Sequence, residues 1–129
     1  MTIRVLLAED HPTMRDAVRL VLAGEGYDVE DAPDGAVALQ RIAASPPDVL
    51  VLDLHMPVLD GAQVLEALRA DAATASLPVI VITADGEEGR AAAERSGADA
   101  YVTKPFDPVA LLRTIERVLA ADGRSATSP

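Results

Sequence analysis

The sequence predicts an α/β fold: an open, doubly wound sheet of five parallel strands with helices on both faces. Three observations carry that expectation. Short apolar segments of β type alternate with segments of helical period five times along the chain. The third and fourth apolar segments, "VLVLD" at 49–53 and "VIVIT" at 79–83, are aliphatic up to their last residue, which is the pattern of strands covered on both faces. Right-handed crossovers then leave only an open sheet or a closed barrel, and five units are too few for the barrel.

Residues 3–8 are apolar and β-branched enough for a buried strand and run into Glu9-Asp10. From Pro12 the spacing changes, with Met14, Ala17, Val18 and Val21 recurring on one helix face until Gly24 and Gly26. Residues 27–31 form a weaker, more polar strand. The second helix starts with Asp34 as N-cap, points Ala36, Leu39 and Ala43 inward, and ends before Ser45-Pro46-Pro47. After the third strand, a helix from about Gly61 buries Val64, Leu65 and Leu68. Pro78 opens the fourth strand. A charged, Ala-rich helix follows over 87–96, with Gly97 as its stop. Residues 100–103 make a short fifth strand. Asp107-Pro108 then begins the last helix, whose inner face is Leu111, Ile115, Val118 and Leu119. Residues 1–121 are read as one domain, and the small, polar 122–129 as a flexible tail or linker stub.

Composition narrows the function classes. The chain has 129 residues and is 50% hydrophobic, with aromatics at only 2%, so it is expected to build a real core from aliphatic side chains. The longest aliphatic runs are four residues, far short of the roughly 20 that cross a bilayer. No export leader is evident, and without cysteine there is no disulfide framework or thiolate metal site. A cytoplasmic protein is expected. The net charge of −10 argues against direct nucleic-acid binding by this domain.

In open parallel sheets, ligands bind beyond the carboxyl ends of the strands, where the winding reverses. The groups at those ends are Glu9-Asp10 after strand one, Asp53 after strand three, Thr83 after strand four and Lys104 after strand five. In strand order 2-1-3-4-5, Asp53 is central, with the acid pair on one side and Thr83 and Lys104 on the other. Two carboxylates about 4 Å apart repel by roughly 4 kcal/mol at an effective dielectric near 20. Converging acids must therefore protonate, separate or hold a cation. A hard, oxygen-liganded divalent ion suits them, Mg²⁺ above all. With Lys104 it would neutralise an incoming phosphoryl group, and Asp53, on the most buried strand, is the candidate nucleophile.

Glu9-Asp10, "DLHMPVLDG" at 53–61, Thr83-Ala84 and "GADAYVTKPF" at 97–106 closely resemble the receiver domain of two-component response regulators. The resemblance runs in order, with matching spacing, from residue 3 to about 121. It implies the flavodoxin-like (βα)5 arrangement and a phosphorylation-dependent signalling switch, a phosphoacceptor rather than an enzyme turning over a substrate. By resemblance, Asp53 takes a phosphoryl group from the phosphohistidine of a histidine kinase or phosphotransfer protein. Glu9, Asp10, Asp53 and the backbone carbonyl of His55 would place Mg²⁺, Glu9 directly or through water. Lys104 would pair with the acids and the phosphoryl group. Thr83 would swing to a phosphoryl oxygen and Tyr101 would rotate inward behind it, changing the surface of helix four, strand five and helix five. The bond before Pro105 would be cis and aim Lys104 into the pocket. An unknown target, and a monomer or phosphorylation-dependent dimer, complete the expectation. Receivers that dimerise through that surface often carry a second aspartate after "GAD"; Ala100 stands there in this chain.

Plainer roles stand beside these. Glu9 and Asp10 also suit a helix N-terminus, Lys104 could lie along the strand edge, and Tyr101 could simply pack. Asp60 and Gly61 read as helix entry and tight turn. His11 reads as surface loop, and the His55 ring as facing solvent, although a ring near the phosphoryl group could affect its hydrolysis rate, as could Asp85, two residues past Thr83. A haloacid-dehalogenase-type phosphatase would need a second aspartate where His55 stands. A flavin or nucleotide module would need a Gly-rich loop where "AEDHPT" stands.

Overall fold

Strict alternation of strand and helix, joined by right-handed crossovers, places the helices on both faces of one sheet. The computed structural model describes residues 2–122; the expected polar tail falls, beyond Asp122, outside them. The elements are β1 (Arg4–Ala8), α1 (Pro12–Gly24), β2 (Asp28–Ala32), α2 (Gly35–Ala44), β3 (Val49–Asp53), α3 (Gly61–Ala70), β4 (Val79–Thr83), α4 (Gly86–Ser96), β5 (Ala100–Thr103) and α5 (Pro108–Ala121). The sheet has five strands in the order β2-β1-β3-β4-β5, every neighbouring pair parallel. Among the described residues, no helix is long and apolar enough to cross a membrane.

Period-two alternation divides the aliphatic strands between two cores. Leu50 and Leu52 of β3 and Val79 and Val81 of β4 face Ile42, Val64, Leu65 and Leu68. Val49 and Val51, with Ile80 and Ile82, face Val18, Leu22, Leu111, Ile115 and Leu119. Continuous aliphatic character is therefore required of the two strands, and each such side chain contributes about 1.5–3 kcal/mol on burial.

The helix faces depart from expectation in two places. On α2 the buried positions are Gly35, Ala38 and Ile42, not Ala36, Leu39 and Ala43; Leu39 is half-buried and Ala43 exposed. Close approach sets this rotation. A Cβ on Gly35 would stand 2.3 Å from the Leu59 carbonyl oxygen, so only glycine lets the helix start so near the β3–α3 loop, and Ile42 then turns inward. On α1 the centre of the face is Val18 and Leu22, with Val21 half-buried. β2 starts one residue later than expected, Tyr27 being buried just ahead of it.

Candidate acidic site at the carboxyl ends of the strands

Three sequence signals bring Asp53 and its neighbours together. β3 carries Asp53 to its last position, where the carboxylate is only 2% exposed. β1 runs directly into Glu9, which is fully buried. After β5, the Lys104 N–H donates to the Thr83 carbonyl at 2.8 Å, which sets the lysine beside the other strand ends. The Lys104–Pro105 peptide is cis. The chain leaves Asp53 through Val58, whose φ of 71° is costly for a β-branched residue, and enters α3 at Asp60. Asp60 and Gln63 form a capping box there. Gly61 packs against Asp53, since a Cβ would stand 2.5 Å from its carbonyl oxygen.

The Lys104 ammonium donates to Asp53 Oδ2 at 3.0 Å and forms an ion pair with Glu9 Oε1 at 3.1 Å. Asp53 Oδ1 accepts the His55 N–H at 3.1 Å. Glu9 Oε2 and Asp10 Oδ1 are buried yet accept no hydrogen bond from the described residues, and Glu9 Oε1 has only the Lys104 ammonium. Glu9, Asp10, His11 and Asp53 each offer an atom within 4.8 Å of all the others. Orphaned buried oxygens converging on one point are a poor arrangement for a bare protein and a good one for a cation. The donor set therefore fits a divalent ion.

Titration behaviour agrees. Burial, then the neighbouring Asp53, raises the Glu9 carboxyl from 4.5 to about 7. Burial also pushes Asp53 up, but the Glu9 carboxyl, Lys104 and the His55 N–H outweigh it, and the net direction is down. Burial pulls Lys104 down, and Asp53 with Glu9 overcomes this, leaving it above its ordinary value. One ammonium is shared by two buried acids, and Glu9 is the one whose charge is disfavoured.

Thr83, fully buried, accepts the Asp85 N–H at 3.0 Å through Oγ1. It lies directly beneath α4, where a Cβ on Gly89 would stand 2.0 Å from that oxygen. Tyr101 is half-buried, with its hydroxyl 3.5 Å from Arg90 Nη1 and the guanidinium 5.9 Å from its ring centre. The His55 ring faces solvent as expected and makes one contact besides. The ring side chain is 63% exposed, but Nε2 meets Asp85 Oδ2 at 2.5 Å and ties the β3–α3 loop to the β4–α4 loop. His11 is exposed as expected, yet its Nδ1 turns toward Asp10 Oδ1 at 3.5 Å and Glu9 Oε2 at 3.9 Å. Sequence reading passed over both contacts. The signal for His11 was its place directly after the acid pair; nothing local points from His55 to Asp85. A surface hollow of about 930 Å³ lies elsewhere, bordered by Ala93, Glu94, Tyr101, Phe106 and Arg117 along α4, β5 and α5.

Comparison with known proteins places this geometry in context. A family model described as response regulator receiver domain matches residues 5–116. The chain is 38% identical over 122 residues to the DNA-binding dual master transcriptional regulator RpaA of Synechocystis, covering 94% of this chain and 51% of that protein. It is 42% identical over 120 residues to response regulator MprA of Mycobacterium tuberculosis, covering 92% and 51%. The chain thus spans about half the length of these curated relatives. Among solved structures, the chemotaxis response regulator CheY4 of Vibrio cholerae superposes with a TM-score of 0.87 at 32% identity, covering 92% of this chain and 100% of that one. The receiver domain of the Francisella response regulator 1452 gives 0.87 at 32%, covering 94% and 99%.

Proposed function

We propose, from the premise that this chain belongs to the response regulator receiver domain family of two-component systems, that it is a phosphorylation-dependent switch whose phosphoacceptor is Asp53. The donor is the phosphohistidine of a histidine kinase or phosphotransfer protein. An Asp53 oxygen attacks phosphorus; the O–P bond forms as the donor's N–P bond breaks, and the electron pair stays with the donor imidazole. Lys104, already 3.0 Å from Asp53 Oδ2, stays beside the phosphoryl oxygens as a fixed counter-charge. Glu9, Asp10, Asp53 and the His55 carbonyl would hold Mg²⁺, which when bound supplies neutralising charge to the phosphoryl group. The observation that carries this reading is the pair of buried acids, Glu9 and Asp53, sharing one lysine while Glu9 Oε2 and Asp10 Oδ1 go without hydrogen bonds from the described residues.

Thr83 Oγ1 then leaves the Asp85 N–H for a phosphoryl oxygen, Tyr101 turns inward, and the α4–β5–α5 surface changes. Taking a population from 1:99 to 99:1 needs about 5.5 kcal/mol of differential stabilisation, within reach of several charge-assisted hydrogen bonds. Residues 1–121 act as the receiver unit in the cytoplasm, as a monomer or phosphorylation-dependent dimer, and the downstream target reads that surface. The phosphoryl group is accepted and lost in the domain's own Mg²⁺-dependent reactions, without turnover of a separate substrate.

Mass spectrometry after incubation with Mg²⁺ and acetyl phosphate tests this. The expected result is a base-labile adduct of about 80 Da on Asp53, absent from Asp53→Ala. No adduct on the unaltered chain, or the same adduct on the variant, defeats the reading.

A further inference from the structure

The acidic site contains an imidazole that the phosphoacceptor reading leaves unused. His11 is the N-cap residue of α1, but its side chain makes no capping hydrogen bond, so helix capping does not account for its orientation. Burial does not either, because the side chain is 73% exposed. Its Nδ1 instead faces Asp10 Oδ1 at 3.5 Å and Glu9 Oε2 at 3.9 Å. Those are two of the orphaned buried oxygens. Glu9 is an independent sign of a ligand, since it is fully buried and, with Oε1 held by Lys104, its Oε2 accepts no hydrogen bond from the described residues. The four candidate donor atoms lie within 4.8 Å of one another, so the cluster has only to contract slightly to place them about 2.0–2.2 Å from a single ion.

We propose that this is a mixed nitrogen–oxygen metal site in which His11 Nδ1 joins Glu9, Asp10 and Asp53, giving it a preference for a first-row transition ion such as Co²⁺ or Mn²⁺ over Mg²⁺. The proposal rests on the reading of the acidic cluster as the receiver's metal site and adds the ligand that decides which ion it prefers. Mg²⁺ is a hard ion that takes oxygen and keeps its waters, so it gains little from an imidazole. Imidazole nitrogen binds increasingly well from Mn²⁺ to Co²⁺ and Ni²⁺. The carboxylates alone would serve Mg²⁺; His11 benefits only the softer ion.

The test is calorimetric titration of the full chain and of His11→Ala and His11→Asn with Mg²⁺ and with Co²⁺. The visible Co²⁺ spectrum provides a readout independent of phosphorylation. Asn keeps a good N-cap and a polar side chain but removes the imidazole, and circular dichroism checks that both variants fold. Both variants should lose about tenfold or more in Co²⁺ affinity and the nitrogen signature of the Co²⁺ bands, while Mg²⁺ affinity changes less than about twofold. An unchanged Co²⁺ to Mg²⁺ ratio in both variants overturns the His11 assignment alone, provided Mg²⁺ still supports labelling of Asp53. If neither ion binds the unaltered chain, the assignment fails together with the reading beneath it.

Discussion

β3 and α4 lie on either side of Thr83 and are built to opposite standards. Every residue of β3, "VLVLD", is buried. α4, "GEEGRAAAERS", buries only Gly89 and Ala93, whereas α5 buries six residues over 14. α4 is fastened at its far end. There Arg69 donates to the Gly97 carbonyl at 3.0 Å and the Leu77 carbonyl at 2.8 Å, and pairs with Asp99 at 3.2 Å. At its near end it rests on Thr83 and on the exposed His55–Asp85 contact. A reactive carboxylate needs a mount that holds its geometry. A surface that reports on that carboxylate needs a small free energy of rearrangement. On the proposed reading the two sequences supply these in turn, by aliphatic residues in one and by glycine and alanine in the other.

The contrast can be broken most directly in the mount. Leu52→Ala, at a fully buried β3 position, should lower the unfolding free energy by about 2–5 kcal/mol in denaturant titration. A loss as small as that from the half-buried α4 residue Ala92 changed to glycine, about 1 kcal/mol, would erase the distinction.

Glu9 gives the next effect, through pH. Its folded value of about 7 lies above its ordinary 4.5. Between those values the folded protein keeps a proton that the unfolded chain has lost, so stability declines as pH rises through this window. At about 1.36 kcal/mol per pH unit, the decline is of order 3 kcal/mol. Asp53 has the opposite sign, its value being lowered from 3.8; its contribution is lost only at more acid pH. Thermal melts of the metal-free chain should therefore drop between about pH 4.5 and 7. Glu9→Gln should flatten that drop, and Mg²⁺ should offset it above pH 7 in the unaltered chain.

Gly89→Ala sharpens the contrast at the near end of α4. The added methyl would meet Thr83 Oγ1 at 2.0 Å and Thr83 Cβ at 2.8 Å, so the helix or the threonine must shift. A loss of about 1–3 kcal/mol is expected, with faster hydrogen exchange confined to α4. The smallest effect is at the loop contact. His55→Ala and Asp85→Ala should each change stability by less than about 1 kcal/mol. Both should shift the lifetime of the phosphorylated form in the same direction, by about two- to fivefold, with the double variant no further displaced. Additive or opposed shifts would show that the two residues act separately.

The open parallel sheet was legible because continuous aliphatic strands and helical periods are local signals; with the strand order that the receiver resemblance implies, the strand-end rule gathered Glu9, Asp53, Thr83 and Lys104 without any contact in view. What escaped is the meeting of segments distant in sequence, or of a side chain with a site. His55 and Asp85 stand 30 positions apart on two loops, and no periodicity links them. The α2 face was misplaced by one position because "GAVALQRIAA" contains small apolar residues at almost every phase. There Gly35, by its fit against Leu59, decided the rotation. Gly89 reads as a weak point in a helix, and only the threonine below it explains why no side chain stands there.

Hydrogen exchange of the full chain with and without Mg²⁺ and beryllofluoride, an acyl-phosphate mimic, measures the division between mount and responder in one experiment. Altered protection confined to α4, β5, α5 and the loops from Asp53 and Thr83, with the amides of β3 unchanged, is the predicted result. Equal change across the sheet, or unchanged exchange in α4 while the mimic is bound, would contradict it.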